Sequence, residues 1–217
     1  MAKSKRDKKE SAIIEEPQEQ LMRGVDLWAQ KTYEDAISYS DVSFDTRSIY
    51  FDSFVEDDSI QRLLWIIAKF DEYDNTLPIN IFINSDGGNV YSGFKFYDGI
   101  RKFKSLVNTI VEGRAMSAAT IMSIGATGKR YMTKNSYMMI HQVWTSNAGK
   151  VSDLDNNLTH MKDIQKRIEY IYTIHSGVKD SKRWKELMAM DKYLTIDECL
   201  KYNFIDGEFN DFNTISC

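Results

Sequence analysis

Cysteine and proline are both scarce, with two of each in 217 residues. Cys199 and Cys217 cannot build a disulfide scaffold or a four-cysteine zinc site, and a chain so poor in cysteine suits a reducing, cytoplasmic compartment. Pro17 and Pro78 are too few for a proline-rich linker. Only His141, His160 and His175 carry imidazole, none with a second His or Cys at ligand spacing, so no metal or other cofactor is expected. Long apolar runs are missing too: residues 63–68 form the longest candidate, far below the roughly 20 residues of a membrane-spanning helix. Nor does one sign of charge dominate. With 28 Lys+Arg against 32 Asp+Glu the net charge is −4, which offers no general field to nucleic acid. What is present is ample apolar material, 42% of the chain with 12% aromatic, enough to exclude disorder of the body and to fill the core of one domain. Among 11 glycines, Gly87 and Gly88 are adjacent, the mark of a tight turn or a close backbone approach.

Residues 1–20 start with a basic cluster (Lys3, Lys5, Arg6, Lys8, Lys9) and continue without periodicity. Ala12-Ile13-Ile14 is interrupted by Glu15-Glu16, so no secretory core follows, and the segment reads as a mobile tail. Residues 21–45 have a mixed pattern that assigns no element. From there the chain alternates: a strand at 48–54, a helix carrying Ile60, Leu63, Leu64, Ile67 and Phe70 on one stripe, and a strand at 79–84 running into Gly87-Gly88. A helix at 90–103, a strand at 106–111, a small-residue stretch at 117–125 and strands at 129–132 and 136–140 follow. The alternation predicts an α/β layer fold with parallel strands. In 153–175, Leu154, Leu158, Met161, Ile164, Ile168 and Ile171 define a helix long enough to project from the body and pack on a neighbour. Shorter helices are expected near 182–190 and 196–202.

Three places can carry chemistry. His160 and His175 sit among charges on the long helix, where surface or packing roles are the default. His141 instead ends the run Tyr137-Met138-Met139-Ile140, at the C-terminal end of a strand, where open α/β sheets hold their ligands. Ser117 lies in Gly113-Arg114-Ala115-Met116-Ser117-Ala118-Ala119-Thr120, between a strand and a helix of small residues. Two readings stand: a nucleophile whose small neighbours let a carbonyl approach, or a simple N-cap. Ile83-Asn84-Ser85-Asp86-Gly87-Gly88 turns from strand to helix and leaves backbone N–H groups free to hold an anion. A phosphate cradle is excluded, since neither G-x-x-x-x-G-K-[ST] nor a complete G-x-G-x-x-G is present.

The segments INSDGGNV, GRAMSAA, GKRYMTKNSYMMIHQ and MDKYLTIDECLKYNFID, in this order and spacing, resemble the Clp protease proteolytic subunit, the serine peptidase of the Clp/crotonase fold, over residues 46–206. The resemblance implies a ββα superhelix with a long projecting helix, and a peptidase domain over 46–217. It also implies a Ser-His-Asp triad of Ser117, His141 and Asp191, with Asp180, Asp197 and Asp206 as rival acids nearby. The oxyanion hole would come from the N–H groups of Gly88 and Ala118. Further implications are a homo-oligomer of stacked heptameric rings, an AAA+ unfoldase as partner, and unfolded polypeptides as substrates, with neither nucleic acid nor membrane involved. The sequence departs from the family pattern at three places. Asp86 replaces the proline before the glycine pair, placing an acid at the groove and loosening the turn; Val143 replaces the proline after His-Gln; Ala118 replaces the common methionine. Other readings are a processing protease acting without an ATPase, a crotonase-like acyl-CoA enzyme, and an inactive scaffold subunit. The joint presence of Ser117, His141 and Asp191 speaks against the last two.

Overall fold

The structure is a computed structural model and describes residues 41–215. The expected tail at 1–20, all but the last residues of the 21–45 region, and Cys217 lie outside the described residues. Among the described residues, eight strands alternate with six α-helices. They are β1 (Val42–Ser43), β2 (Ser48–Phe51), α1 (Asp57–Tyr73), β3 (Ile79–Ser85), α2 (Val90–Gly99), β4 (Val107–Met116), α3 (Ala118–Ile124), β5 (Arg130–Met132), β6 (Tyr137–Ile140), α4 (Val151–His175), α5 (Ser181–Met188), β7 (Lys192–Leu194), α6 (Ile196–Lys201) and β8 (Gly207–Glu208).

The sheet runs β1-β2-β3-β4-β5-β8. Its centre is β3, in which every residue but Asn84 is buried, the pattern of a strand covered on both faces and flanked by parallel neighbours. α1 covers the core with Ile60, Leu63, Ile67 and Phe70, as the stripe predicted, and opens with a capping box between Glu56 and Ser59. The expected parallel arrangement holds through β2, β3, β4, β5 and β8. It fails at two ends: β1 pairs antiparallel with β2 through a short turn, and β7 pairs antiparallel with β6.

Three boundaries differ from the sequence pattern for local reasons. The first long strand stops at Phe51 instead of 54, because Ser53 turns its carbonyl to the Ser85 hydroxyl (2.6 Å). The helix from Val90 tightens into a 3-10 turn at Ile100–Lys102. β4 does not end at Val111: it bulges through Glu112, Gly113 and Arg114 and resumes, pairing first with β5 and then with β6. Gly113, with φ of 89°, supplies the left-handed residue that the bulge needs.

α4 has 25 residues, roughly 37 Å at 1.5 Å per residue. Its predicted apolar stripe is divided. Ile164, Ile168, Ile171 and Tyr172 are buried against the body, whereas Leu154 (38% exposed) and Leu158 (54% exposed) stand open. No helix among the described residues is long and apolar enough to cross a membrane.

Candidate active site

The second half of β4 delivers Ser117 to the junction with α3. Its backbone is left-handed, φ 53° and ψ −125°, a conformation that costs a residue with a side chain about 1–3 kcal/mol. Several contacts hold it there. Ser117 N–H donates to the Met139 carbonyl (2.9 Å), and the Ser117 carbonyl accepts from Thr120 N–H (3.0 Å) and the Thr120 hydroxyl (2.6 Å). The Thr120 hydroxyl in turn shares a 2.6 Å hydrogen bond with the buried Tyr172 hydroxyl of α4. Burial pushes the Tyr172 phenol well above its ordinary pKa, so it remains protonated.

His141 follows directly on β6, which lies beside the second half of β4 with Met116 opposite Met139. Its Nε2 is 2.7 Å from Ser117 Oγ, so the sequence-predicted serine and histidine, 24 positions apart in the chain, meet. Both border a cleft of about 430 Å³ whose apolar side is formed by Val90, Met139, Val143, Met161, Ile164 and Ile168.

The glycine turn packs against the serine. Gly87 (φ 93°) and Gly88 (φ 144°) both have backbone angles that side chains resist, and a Cβ on Gly87 would lie 2.7 Å from Ser117 Cβ and 3.0 Å from Ala118 N. The turn is tied to the β2–α1 loop by Val55 N–H to Gly87 O (2.8 Å) and Asn89 N–H to Val55 O (2.7 Å). Neither Gly88 N–H nor Ala118 N–H is engaged by a hydrogen bond among the described residues. Asn89 then caps α2 by accepting from Tyr91 and Ser92 N–H.

Asp191 is placed less completely. In the antiparallel pairing, Ile140 lies opposite Lys192, and continuing that register one step sets His141 opposite Asp191. The Asp191 backbone is left-handed (φ 47°), its side chain is exposed, and no hydrogen bond joins it to His141. The rival acids are occupied or remote: Asp206 pairs with Arg130 (2.6 Å), Asp180 caps α5, and Asp197 lies in the exposed first turn of α6.

The three departures have local explanations. Asp86 is not loose: it receives Arg114 Nε at 2.5 Å and Nη2 at 3.0 Å, which corrects the expectation of a slackened turn. Val143 has the backbone N–H that proline lacks, and donates it to Gln165 of α4 (2.9 Å). Ala118 is 3% exposed and faces Gly93 of α2, where a Cβ would meet the Ala118 Cβ at 3.5 Å, leaving little room for a longer side chain. Sequence reasoning missed Arg114, Thr120 and Tyr172, whose roles depend on partners far along the chain. It also missed the contact of His160 with Tyr91 (2.5 Å), which joins α4 to the cleft rim.

Comparison with known proteins matches residues 31–210 to the Clp protease family model. An ATP-dependent Clp protease proteolytic subunit of Bacteroides fragilis is 32% identical over 161 residues, 74% of this chain and 77% of that protein. One of Streptococcus mutans is 36% identical over 155 residues, 70% of this chain and 79% of that protein. Among solved structures, a point mutant of ClpP1 from Listeria monocytogenes superposes with a TM-score of 0.71 at 22% identity, covering 79% of this chain and 96% of that one.

Proposed function

The chain belongs to the Clp protease family, and from that premise we propose that it is a serine endopeptidase using Ser117, His141 and Asp191. The observation that carries the reading is the 2.7 Å hydrogen bond between Ser117 Oγ and His141 Nε2 at the mouth of the cleft. His141 takes the hydroxyl proton as Ser117 attacks the scissile carbonyl, and the carbonyl oxygen becomes an oxyanion held by the N–H groups of Gly88 and Ala118. Collapse expels the amine, which leaves with the proton from His141. Water then repeats the sequence on the acyl-enzyme and frees Ser117. Asp191, opposite His141 in register, is proposed to accept the ring's other N–H during turnover and fix its tautomer.

The apolar side of the cleft favours a medium-sized apolar side chain next to the cleaved bond. The relatives are named ATP-dependent proteolytic subunits. Carried to this chain, that name supports a subunit of an oligomeric protease that works with an ATP-consuming partner; stacked heptameric rings and an AAA+ unfoldase delivering unfolded polypeptide are the assembly that the family resemblance implies, and they form part of the proposal. The open face of α4 with Leu154 and Leu158 is consistent with packing between copies.

A fluorophosphonate probe tests the chemistry directly. Wild type takes the label on Ser117 and cleaves a fluorogenic peptide with an apolar residue before the reporter, and Ser117→Ala does neither. A folded wild type that stays unlabelled overturns the assignment.

A further inference from the structure

We propose that the Asp86–Arg114 ion pair is a positioning clamp that holds the Gly88 amide in register with Ser117; this rests on the peptidase reading above. The argument begins with the broken ladder between β3 and β4. Ile83 pairs with Val111, but the next pair is Ser85 with Ala115, so β4 spends two extra residues over this interval. Backbone pairing is interrupted just where the sheet carries two site elements forward: β3 leads to Gly87-Gly88 and β4 leads to Ser117. An oxyanion donor works only when fixed relative to the attacking oxygen, and an interrupted ladder is a poor way to fix it.

The side chains span the gap. Asp86 immediately precedes the glycine pair, and Arg114 lies three residues before Ser117. Their bidentate contact, 2.5 and 3.0 Å, joins the two arms with the planar fork geometry that restricts rotation as well as distance. The other side of the turn is already tied, by Val55 to Gly87 and by Ser85 Oγ to the Ser53 carbonyl. Asn84, the residue opposite the bulge, packs its carboxamide against Gly113 but donates its Nδ2 to Asp52 (3.1 Å), and its Oδ1 accepts no hydrogen bond from β4 among the described residues. Among the described residues, the clamp is therefore the polar side-chain link that runs directly from the glycine turn to the nucleophile's strand.

Both partners are about half exposed, 45% and 46%, so the pair adds little to global stability. Its effect belongs in the rate. Losing an oxyanion donor outright costs about 100- to 1000-fold. Loosening its support while leaving the donor present costs less, on the order of tenfold.

The test compares full-length wild type, Asp86→Asn, Arg114→Gln and the charge exchange Asp86→Arg/Arg114→Asp. Three quantities are read: the fluorophosphonate labelling rate of Ser117, kcat and KM for a fluorogenic peptide, and the urea midpoint. Each single variant labels about tenfold more slowly and loses kcat by a similar factor, with KM and the urea midpoint near wild type. The exchange variant recovers to within about threefold. Raising salt to 1 M slows wild type toward the single variants and leaves those unchanged, because the screening length falls to about 3 Å. Lys69→Gln, which removes a comparable exposed pair on α1 (2.7 Å to Glu72), behaves as wild type throughout. Single variants that label as fast as a reactive wild type overturn the clamp alone, as does an exchange variant no faster than the singles. A wild type that takes no label overturns the nucleophile assignment, and the clamp falls with it.

Discussion

Two arms of the candidate site rest on residues with the same unusual backbone, and they are supported very differently. Ser117 and Asp191 both have positive φ, 53° and 47°. Ser117 is held by its N–H on Met139, by Thr120 on its carbonyl, by Tyr172 behind Thr120 and by the glycine turn packed against its Cβ. Asp191 has one long backbone bond, 3.4 Å to the Met188 carbonyl, at the end of a three-residue strand. The proposed nucleophile and its proposed base thus meet within one copy of the chain, whereas the proposed acid stands opposite His141 in register without engaging it. The lesson is that a strained residue keeps a fixed orientation only when its surroundings over-determine it.

The largest effect that separates the arms is expected at the acid. Asp191→Asn lowers peptide kcat by about 10,000-fold if the side chain turns to His141 during turnover, the loss seen when a triad acid is neutralised. Fluorophosphonate labelling, which draws on the Ser117–His141 contact already formed, falls far less. Equal losses in the two assays would erase the distinction between the arms.

A smaller effect is expected behind the nucleophile. Tyr172→Phe keeps the ring packed against Trp184 and Phe204 but removes the bond to Thr120, costing about 1–2 kcal/mol of stability and about five- to tenfold in kcat. The Ser117 turn then exchanges amide hydrogen faster while β7 does not. A change spread evenly over both would show that the serine arm is no better fixed than the acid arm.

The smallest effect concerns pH. His175, at the C-terminal end of α4, lies 2.7 Å from the Tyr97 hydroxyl of α2, and burial first, then the charges of Arg101 and Arg130, lower its pKa to about 4. The unfolded chain, with an ordinary value near 6.5, binds the proton more readily. Stability present above about pH 6.5 is therefore lost as pH falls toward 4. Urea melts across that interval should show the loss for wild type and a shallower one for His175→Gln. Exchange should rise first in α2 and α4, the helices flanking the serine arm. A melt whose slope is unchanged in the variant places the acid sensitivity elsewhere.

Much of this was legible from residue order. The stripe in α1, the buried run of β3 and the Gly87-Gly88 turn follow from periodicity and composition, which report on local structure. The family resemblance brought Ser117, His141 and Asp191 forward as a set. The expected strand at 106–111 is too short, because the bulge at Gly113 breaks the pattern and the strand then resumes to Met116. Lys192–Leu194 left no strand signal: three residues between two helices have no period, and their pairing with β6 is made over more than fifty positions. Arg114 and Tyr172 were silent for the same reason. The long apolar stripe of α4 was visible as a stripe, but periodicity cannot tell an inner half from an outer one.

The left-handed turn at Ser117 has an evolutionary consequence. Glycine would take that backbone without penalty, so selection for thermal robustness alone would favour glycine at position 117 and remove the proposed nucleophile. A serine there, with its hydroxyl 2.7 Å from His141 Nε2, holds a costly backbone in place and draws on a margin of stability that the rest of the fold must keep in reserve.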